Sequence, residues 1–232
     1  MSAPRPLSGF TLAFAWLMLP GMESAQNGRI TGRLTMLERP GVNTKDIAST
    51  IVYLQPLDAR VGDDRGATPG EATVAMRGRE FLPHVSVIRS GGSVAFPNED
   101  PFSHNVFSNA EPGSFDLGLY RRGTKRVANF PQPGVFPIFC NIHARMVSYV
   151  LAVPTSHVAT VNAEGRFSLD DVPVGAWRLI VWHERAERLS EDVTVSAAGT
   201  SVQLTLDARG YTATAHLNKF GMPYTSTRSD RY

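Results

Sequence analysis

The chain carries one cysteine, Cys140, in 232 residues. A lone thiol excludes an intramolecular disulfide framework and any structural zinc site made of several thiolates. Long apolar runs are scarce as well. The one candidate, Phe10 to Leu19, spans ten residues, about half of the ~20 needed to cross a bilayer. Neither sign of charge is in excess: 23 Lys and Arg against 21 Asp and Glu leave a formal charge of +2, which makes no case for nucleic acid as a partner. Helical periodicity is almost absent. Short alternating segments recur instead between glycine, proline and asparagine, the pattern of an all-β sandwich protein.

The N-terminal residues 1–25 have the layout of a signal peptide. Arg5 supplies the positive charge, Phe10 to Leu19 the apolar stretch and Pro20-Gly21 a break before Ser24-Ala25. Glu23 occupies a position where a small residue is preferred for cleavage, so an uncleaved N-terminus stays open. After cleavage no membrane span is expected, and the mature protein is expected in the periplasm or outside the cell. An unpaired cysteine in an oxidising compartment calls for something that holds it, such as a metal.

The stretch around that cysteine supplies the means. It reads Phe139-Cys140-Asn141-Ile142-His143-Ala144-Arg145-Met146, placing a thiolate, an imidazole and a thioether at Cys-x-x-His-x-x-Met spacing. Taken singly, Cys140 reads as a small buried core residue and Met146 as packing. Taken together with His143, they make most of a type 1 copper site, which uses two histidines, one cysteine and a weak axial methionine. His104, after the turn residues Pro97 to Pro101, is the candidate for the second histidine. The candidate metal ligands are therefore His104, Cys140, His143 and Met146.

Strand-like segments frame these residues. Ala72 to Met76, Val85 to Arg89, Ser93 to Phe96, His104 to Phe107, Phe115 to Leu119, Lys125 to Phe130, Val135 to Cys140 and Val147 to Val153 make about eight, enough for a two-sheet sandwich. Alternation in Val135 to Cys140 puts Phe136, Ile138 and Cys140 on one, inward, face. Arg121, Arg122, Lys125 and Arg126 form a local basic cluster, read either as a solvated loop or as a steering patch for an acidic partner.

Residues 72–153 resemble the cupredoxin family, and the Cys-x-x-His-x-x-Met loop is most similar to that of the amicyanins, with the plastocyanins and pseudoazurins as relatives of longer loop. The wider strings Phe96-Pro97-Asn98-Glu99-Asp100, His104-Asn105-Val106 and Cys140-Asn141-Ile142-His143 resemble exported cupredoxin-like proteins of the methylamine-utilisation type. The resemblance implies a Greek-key sandwich, one type 1 copper and an unidentified redox partner protein. It also implies that the backbone amide of Asn105 bonds the copper-bound sulfur and that the Asn105 side chain ties the two ligand loops together. His143 would be the electron port, with Ile142, Ala144 and Pro137 as its apolar collar.

A different pattern follows Val153. Ala159 to Leu169 reads as a hairpin, followed by a strand over Ala176 to His183, with Asp192 to Ser196 and Ser201 to Leu206 to complete a set. The Gly165-x-Phe167 and Pro173-x-Gly175-x-Trp177 spacings resemble the carboxypeptidase regulatory-like, transthyretin-like sandwich. Those strands are too few for a core alone, while the strands at Arg29 to Thr35 and Thr50 to Leu54 lack partners. Residues 28–57 and 157–207 are therefore expected to form one immunoglobulin- or transthyretin-like sandwich, with the cupredoxin domain inserted between them. Residues 57–71 read as a linker and residues 208–232 as an extended or loosely docked tail with turn material at Asn218 to Gly221. His84, His157, His183 and His216 read as structural or exposed.

Function is then expected to be one-electron transfer without catalysis. Phe139 and Asn141 flank Cys140 where a multicopper oxidase needs histidines. The alternative expectation is a copper-binding, delivery or assembly protein that docks a partner through the second sandwich.

Overall fold

The computed structural model describes residues 26–42, 46–57 and 69–224. The signal-peptide reading and most of the 57–71 linker fall outside them. Among the described residues there are seventeen strands and one 3-10 turn, Ile47–Ser49. The first two strands are β1, Asn27–Leu37, and β2, Ile51–Pro56. Then come β3, Glu71–Thr73, β4, Ala75–Arg77, β5, Glu80–Leu82, β6, Val85–Arg89, and β7, Gly92–Pro97. β8, His104–Ser108, β9, Phe115–Tyr120, β10, Lys125–Phe130, β11, Gly134–Cys140, and β12, Val147–Val153, follow. The last five are β13, Val158–Thr160, β14, Arg166–Pro173, β15, Gly175–Trp182, β16, Leu189–Val195, and β17, Thr200–Asp207. No helix among the described residues is long and apolar enough to cross a membrane.

These strands build two sandwiches. In one, the sheet β14-β1-β17 faces the sheet β13-β2-β15-β16 across a core that includes Ile30, Leu54, Trp177, Leu179 and Leu204. In the other, β10-β7-β3 faces β6-β12-β11-β8-β9 across a core that includes Phe96, Phe130, Phe136, Ile138 and Val150. The chain leaves the first sandwich after β2 and returns to it at β13. β1 is the middle strand of its sheet, antiparallel to β14 and parallel to β17, and β2 lies between β13 and β15.

The two sandwiches stack through their sheets. Leu151 and Val153 of β12 meet Ile51 and Tyr53 of β2 and Ile180 and Trp182 of β15 in a third apolar cluster. Their neighbours Val150, Val52 and Leu179 point the opposite way, into the two cores. A strand covered on both faces has no polar side, and so reads as a continuous apolar run such as Ile51-Val52-Tyr53-Leu54 or Leu179-Ile180-Val181-Trp182. A hydrogen bond of 2.8 Å between His84 Nε2 and Glu184 Oε1 adds a polar tie between the sandwiches.

Three local expectations are corrected. Ala72 to Met76 is two short strands broken at Val74, and β5 was not anticipated: β4 and β5 form a hairpin whose turn residues Gly78 and Arg79 have φ of 66 and 62. Two positive φ values are what a two-residue hairpin of matching twist demands. The segment Ala159 to Leu169 is not a hairpin, because β13 pairs with β2 while β14 pairs with β1 in the opposing sheet. The turn at Asn162 to Gly165, closed by Gly165 N–H to Asn162 O at 2.9 Å, carries the chain across the core instead. The described part of the tail, residues 208–224, is extended, but residues 216–224 dock by specific contacts on Phe139, Cys140 and Asn141 at the end of β11 rather than loosely.

Candidate metal centre

β11 delivers Cys140 to one end of its sandwich. Phe136, Ile138 and Cys140 share the inward face, and Cys140 is 0% exposed. The loop beyond it is closed by two backbone bonds, Met146 N–H to His143 O at 3.0 Å and Cys140 N–H to Met146 O at 3.3 Å. This places Met146 just before β12 rather than within it, 1% exposed and in the same core cluster as Cys140. β8 pairs antiparallel with β11, matching Cys140 with Val106, and so brings the start of β8 beside the thiol. His104, 36 residues earlier, reaches the sulfur because of that pairing.

The ligand atoms converge. Cys140 Sγ lies 3.7 Å from His104 Nδ1 and 3.6 Å from His143 Nδ1. Among the described residues these three form the one cluster of histidine, cysteine or acidic side chains able to hold a metal ion, with all ligand atoms within 4.8 Å of one another. A metal bound to sulfur at about 2.3 Å and to nitrogen at about 2.0 Å, with bonds about 110–120° apart, needs a sulfur–nitrogen separation of about 3.5–3.7 Å. The residues present fit such an ion.

Two of these donors, Cys140 and His104, have partners that fix them. Burial pushes the Cys140 thiol up from its ordinary value, while the N–H groups of Ile142, Asn105 and His143 donate toward the sulfur and pull the other way. His104 Nε2 lies 2.9 Å from Asp100 Oδ2. A carboxylate can only accept, so the proton sits on Nε2 and the Nδ1 lone pair faces the sulfur. Burial lowers the His104 pKa, and the Asp100 contact opposes this without reversing it. Burial would raise Asp100, but the Arg79 N–H, the His104 ring and the Gly78 N–H bring it below the usual carboxylate range. Those two amides bind it at 2.9 and 2.7 Å, and they come from the left-handed turn between β4 and β5.

Several of these residues were not singled out from the sequence. Asp100 had one available signal, a carboxylate four residues before the candidate histidine. Asn98 is buried and fixes the same loop: its amide donates to Phe102 O and Tyr120 O, and its Oδ1 accepts the Asp100 N–H. Phe102 packs edge-on against both histidine rings, with centroids 5.2 and 5.6 Å away, and the Arg79 guanidinium sits 5.1 Å from its other side.

Asn105 differs in part from expectation. Its backbone N–H does donate to the sulfur. Its side-chain amide, however, donates to Asp116 Oδ1 at 2.6 Å, and its buried Oδ1 has no partner, so it ties β8 to β9 and not to the Cys140 loop. The cause is the bulge in the β8–β9 pairing between Asn105 and Phe107, which turns Asp116 toward the amide. Of the expected collar, Ile142 is 43% exposed, whereas Pro137 pairs with Tyr149 in mid-strand, on the face opposite the core. Phe102 takes the place beside the histidines.

The remaining histidines lie apart from this cluster. His84 bonds Glu184, His157 packs edge-on against Trp177, and buried His183 bonds Asp46 O. His216 is half-buried and stacks on Phe139. Arg121, Arg122, Lys125 and Arg126 are all exposed, with Arg126 lying over the Tyr120 ring.

No family model and no curated protein matches this chain. Solved structures do. A purple cupredoxin from Nitrosopumilus maritimus is 22% identical and aligns over 35% of this chain and 98% of its own, with a TM-score of 0.32. Amicyanin from Paracoccus versutus is 16% identical over 43% of this chain and 97% of its own, at 0.34. A copper-containing nitrite reductase from Thermus scotoductus is 24% identical over 51% of this chain and 28% of its own, also at 0.34. These likenesses are too distant to assign a function.

Proposed function

We propose that the protein is an exported type 1 copper protein of the methylamine-utilisation type that carries single electrons, and that His104, Cys140, His143 and Met146 would hold the copper. The observation that carries this reading is the convergence of two imidazole Nδ1 atoms on one buried, amide-bonded sulfur. Bound copper would supply the one-electron couple. The chain's own contribution is to hold its ligands still: β8, β11 and the closed Cys140–Met146 loop fix their positions, Asp100 fixes the His104 tautomer, and Phe102 and the core exclude water. A ligand frame that does not move when the electron arrives keeps reorganisation small, and hydrogen bonds to the sulfur tune the potential.

The reading includes export to the periplasm or beyond and an unidentified redox partner. Delivery of copper, or assembly of a partner through the second sandwich, is the competing role. A protein that hands on copper(I) more commonly uses several thioethers or an exposed pair of thiols, whereas Cys140 is a single buried thiol. Oxidase activity is not part of the proposal, because Phe139 and Asn141 stand on either side of Cys140. The test is the visible and paramagnetic-resonance spectrum of the copper-loaded protein, with Cys140→Ser as control. An intense sulfur-to-copper band that the variant lacks, with reversible one-electron cycling, supports the carrier. A colourless protein that yields its copper readily to a chelator overturns it.

A further inference from the structure

After β17 the chain does not leave the molecule. Ala208 N–H bonds Leu37 O at 2.9 Å and Arg39 bonds Tyr211 O at 2.8 Å, and the segment then crosses to the other sandwich. There it grips three consecutive residues. His216 stacks on Phe139, with ring centroids 4.2 Å apart and planes 20° from parallel. The Tyr224 hydroxyl donates to the Cys140 carbonyl at 2.7 Å. Lys219 N–H donates to Asn141 Oδ1 at 2.9 Å.

A fourth contact reaches β9, the neighbour of the other ligand strand. Lys219 Nζ pairs with Asp116 Oδ2 at 2.7 Å, and Asp116 Oδ1 accepts from the Asn105 side chain. Asn105 is the β8 residue whose N–H donates to the sulfur. The segment is itself pre-shaped by Asn218, whose Oδ1 accepts the N–H groups of Phe220 and Met222 while its own N–H bonds Met222 O. His216 also covers the outer face of β11 beside Phe107, which packs on Phe139.

We infer that residues 216–224 form a strap in which His216, Lys219 and Tyr224 are positioning residues for the metal loop, holding the Cys140 carbonyl and the side chains of Phe139 and Asn141 so that the sulfur stays between the two imidazoles. The physical ground is that a closed loop of this length can open by swinging away from β8, and each strap contact is lost in that opening. The strap belongs by sequence to the second sandwich, so it gives that sandwich a part in shaping the site. Its effect on copper rests on the reading proposed above; its effect on the thiol does not.

The metal-free protein therefore provides the primary test, as the rate at which Cys140 reacts with an aromatic disulfide reagent under native conditions. Tyr224→Phe removes one hydrogen bond and should raise that rate about two- to tenfold. His216→Ala should raise it as well, and His216→Phe, which keeps the stacking plane but gives up the Nδ1 contacts to Leu217 O and the Tyr224 hydroxyl, should return it part of the way toward the native rate. Met222→Ala serves as control, because that side chain is 58% exposed and only the Met222 backbone enters the hydrogen bonds of the segment, and it should leave the rate unchanged. In the copper-loaded protein, Tyr224→Phe should also shift the sulfur-to-copper band and speed copper release by a similar factor. Unchanged thiol rates in Tyr224→Phe and His216→Ala, or an equal rise in Met222→Ala, would overturn the strap. A colourless native protein whose thiol still responds to these substitutions would overturn the copper reading and leave the strap standing.

Discussion

His104 Nε2 and Asp100 Oδ2 lie 2.9 Å apart, both buried, in a turn that brings a carboxylate to a histidine four residues later. The carboxylate is held in place by the Gly78 and Arg79 amides, so the imidazole it orients has one available rotation. Asp100→Ala should therefore lower copper affinity about 10- to 100-fold, measured by competition with a chelator of known affinity. A variant that binds copper as tightly as the native chain would show that loop packing alone orients His104.

Met146 closes the loop and is buried, and its thioether would be a weak donor to a bound copper. Met146→Leu should keep the copper and the colour while raising the reduction potential, since a weaker axial donor favours the reduced metal. Protein-film voltammetry reads this directly. A potential equal to the native one would remove Met146 from the site.

The tie between the sandwiches should make their docking pH-dependent. The Glu184 contact holds the His84 pKa above its ordinary 6.5. Its stabilisation is thus fully present below 6.5 and lost as pH rises through the raised folded value. Burial would raise Glu184, but the bond to His84 brings it below its ordinary 4.5; its share is present above 4.5 and lost as pH falls through the lowered value. The tie should be strongest between those limits. Urea midpoints for the native chain should decline on the alkaline side of His84 more steeply than those of His84→Ala. Parallel pH profiles would show that the pair contributes nothing.

The second sandwich should require both of its sequence-distant parts. Residues 155–207 expressed alone lack β1 and β2, the strands that join β14 to β17 and β13 to β15, and should remain unfolded by circular dichroism and amide exchange. Deleting residues 72–153 and closing the gap with a flexible linker should leave a folded module. Equal stability of the 155–207 fragment would refute this account of the fold.

Local residue chemistry made the all-β class and the cluster of His104, Cys140 and His143 legible. Alternation along Phe136, Ile138 and Cys140 holds in a strand with one inward face, and the spacing of His143 from Cys140 depends on a loop short enough for sequence to constrain. Where alternation failed, as in Ile51 to Leu54 and Val150 to Val153, the cause was a second buried face contributed by the other sandwich. Ala159 to Leu169 read as a hairpin because its turn chemistry is that of a hairpin; which sheet receives each arm depends on β1 and β2, more than a hundred residues upstream.

The amino-acid sequence by itself determined the donor types, their spacing within the Cys140–Met146 loop and the strand-forming pattern that carries them, because each depends on near neighbours in the chain. The tertiary structure alone decided which carboxylate orients His104, that the Asn105 side chain turns to Asp116, and that Tyr224 closes on the Cys140 carbonyl 84 residues away. Those contacts join segments whose approach is set by sheet pairing and by the stacking of two sandwiches, and no local period in a sequence encodes the distance between chain segments that meet only once the whole is folded.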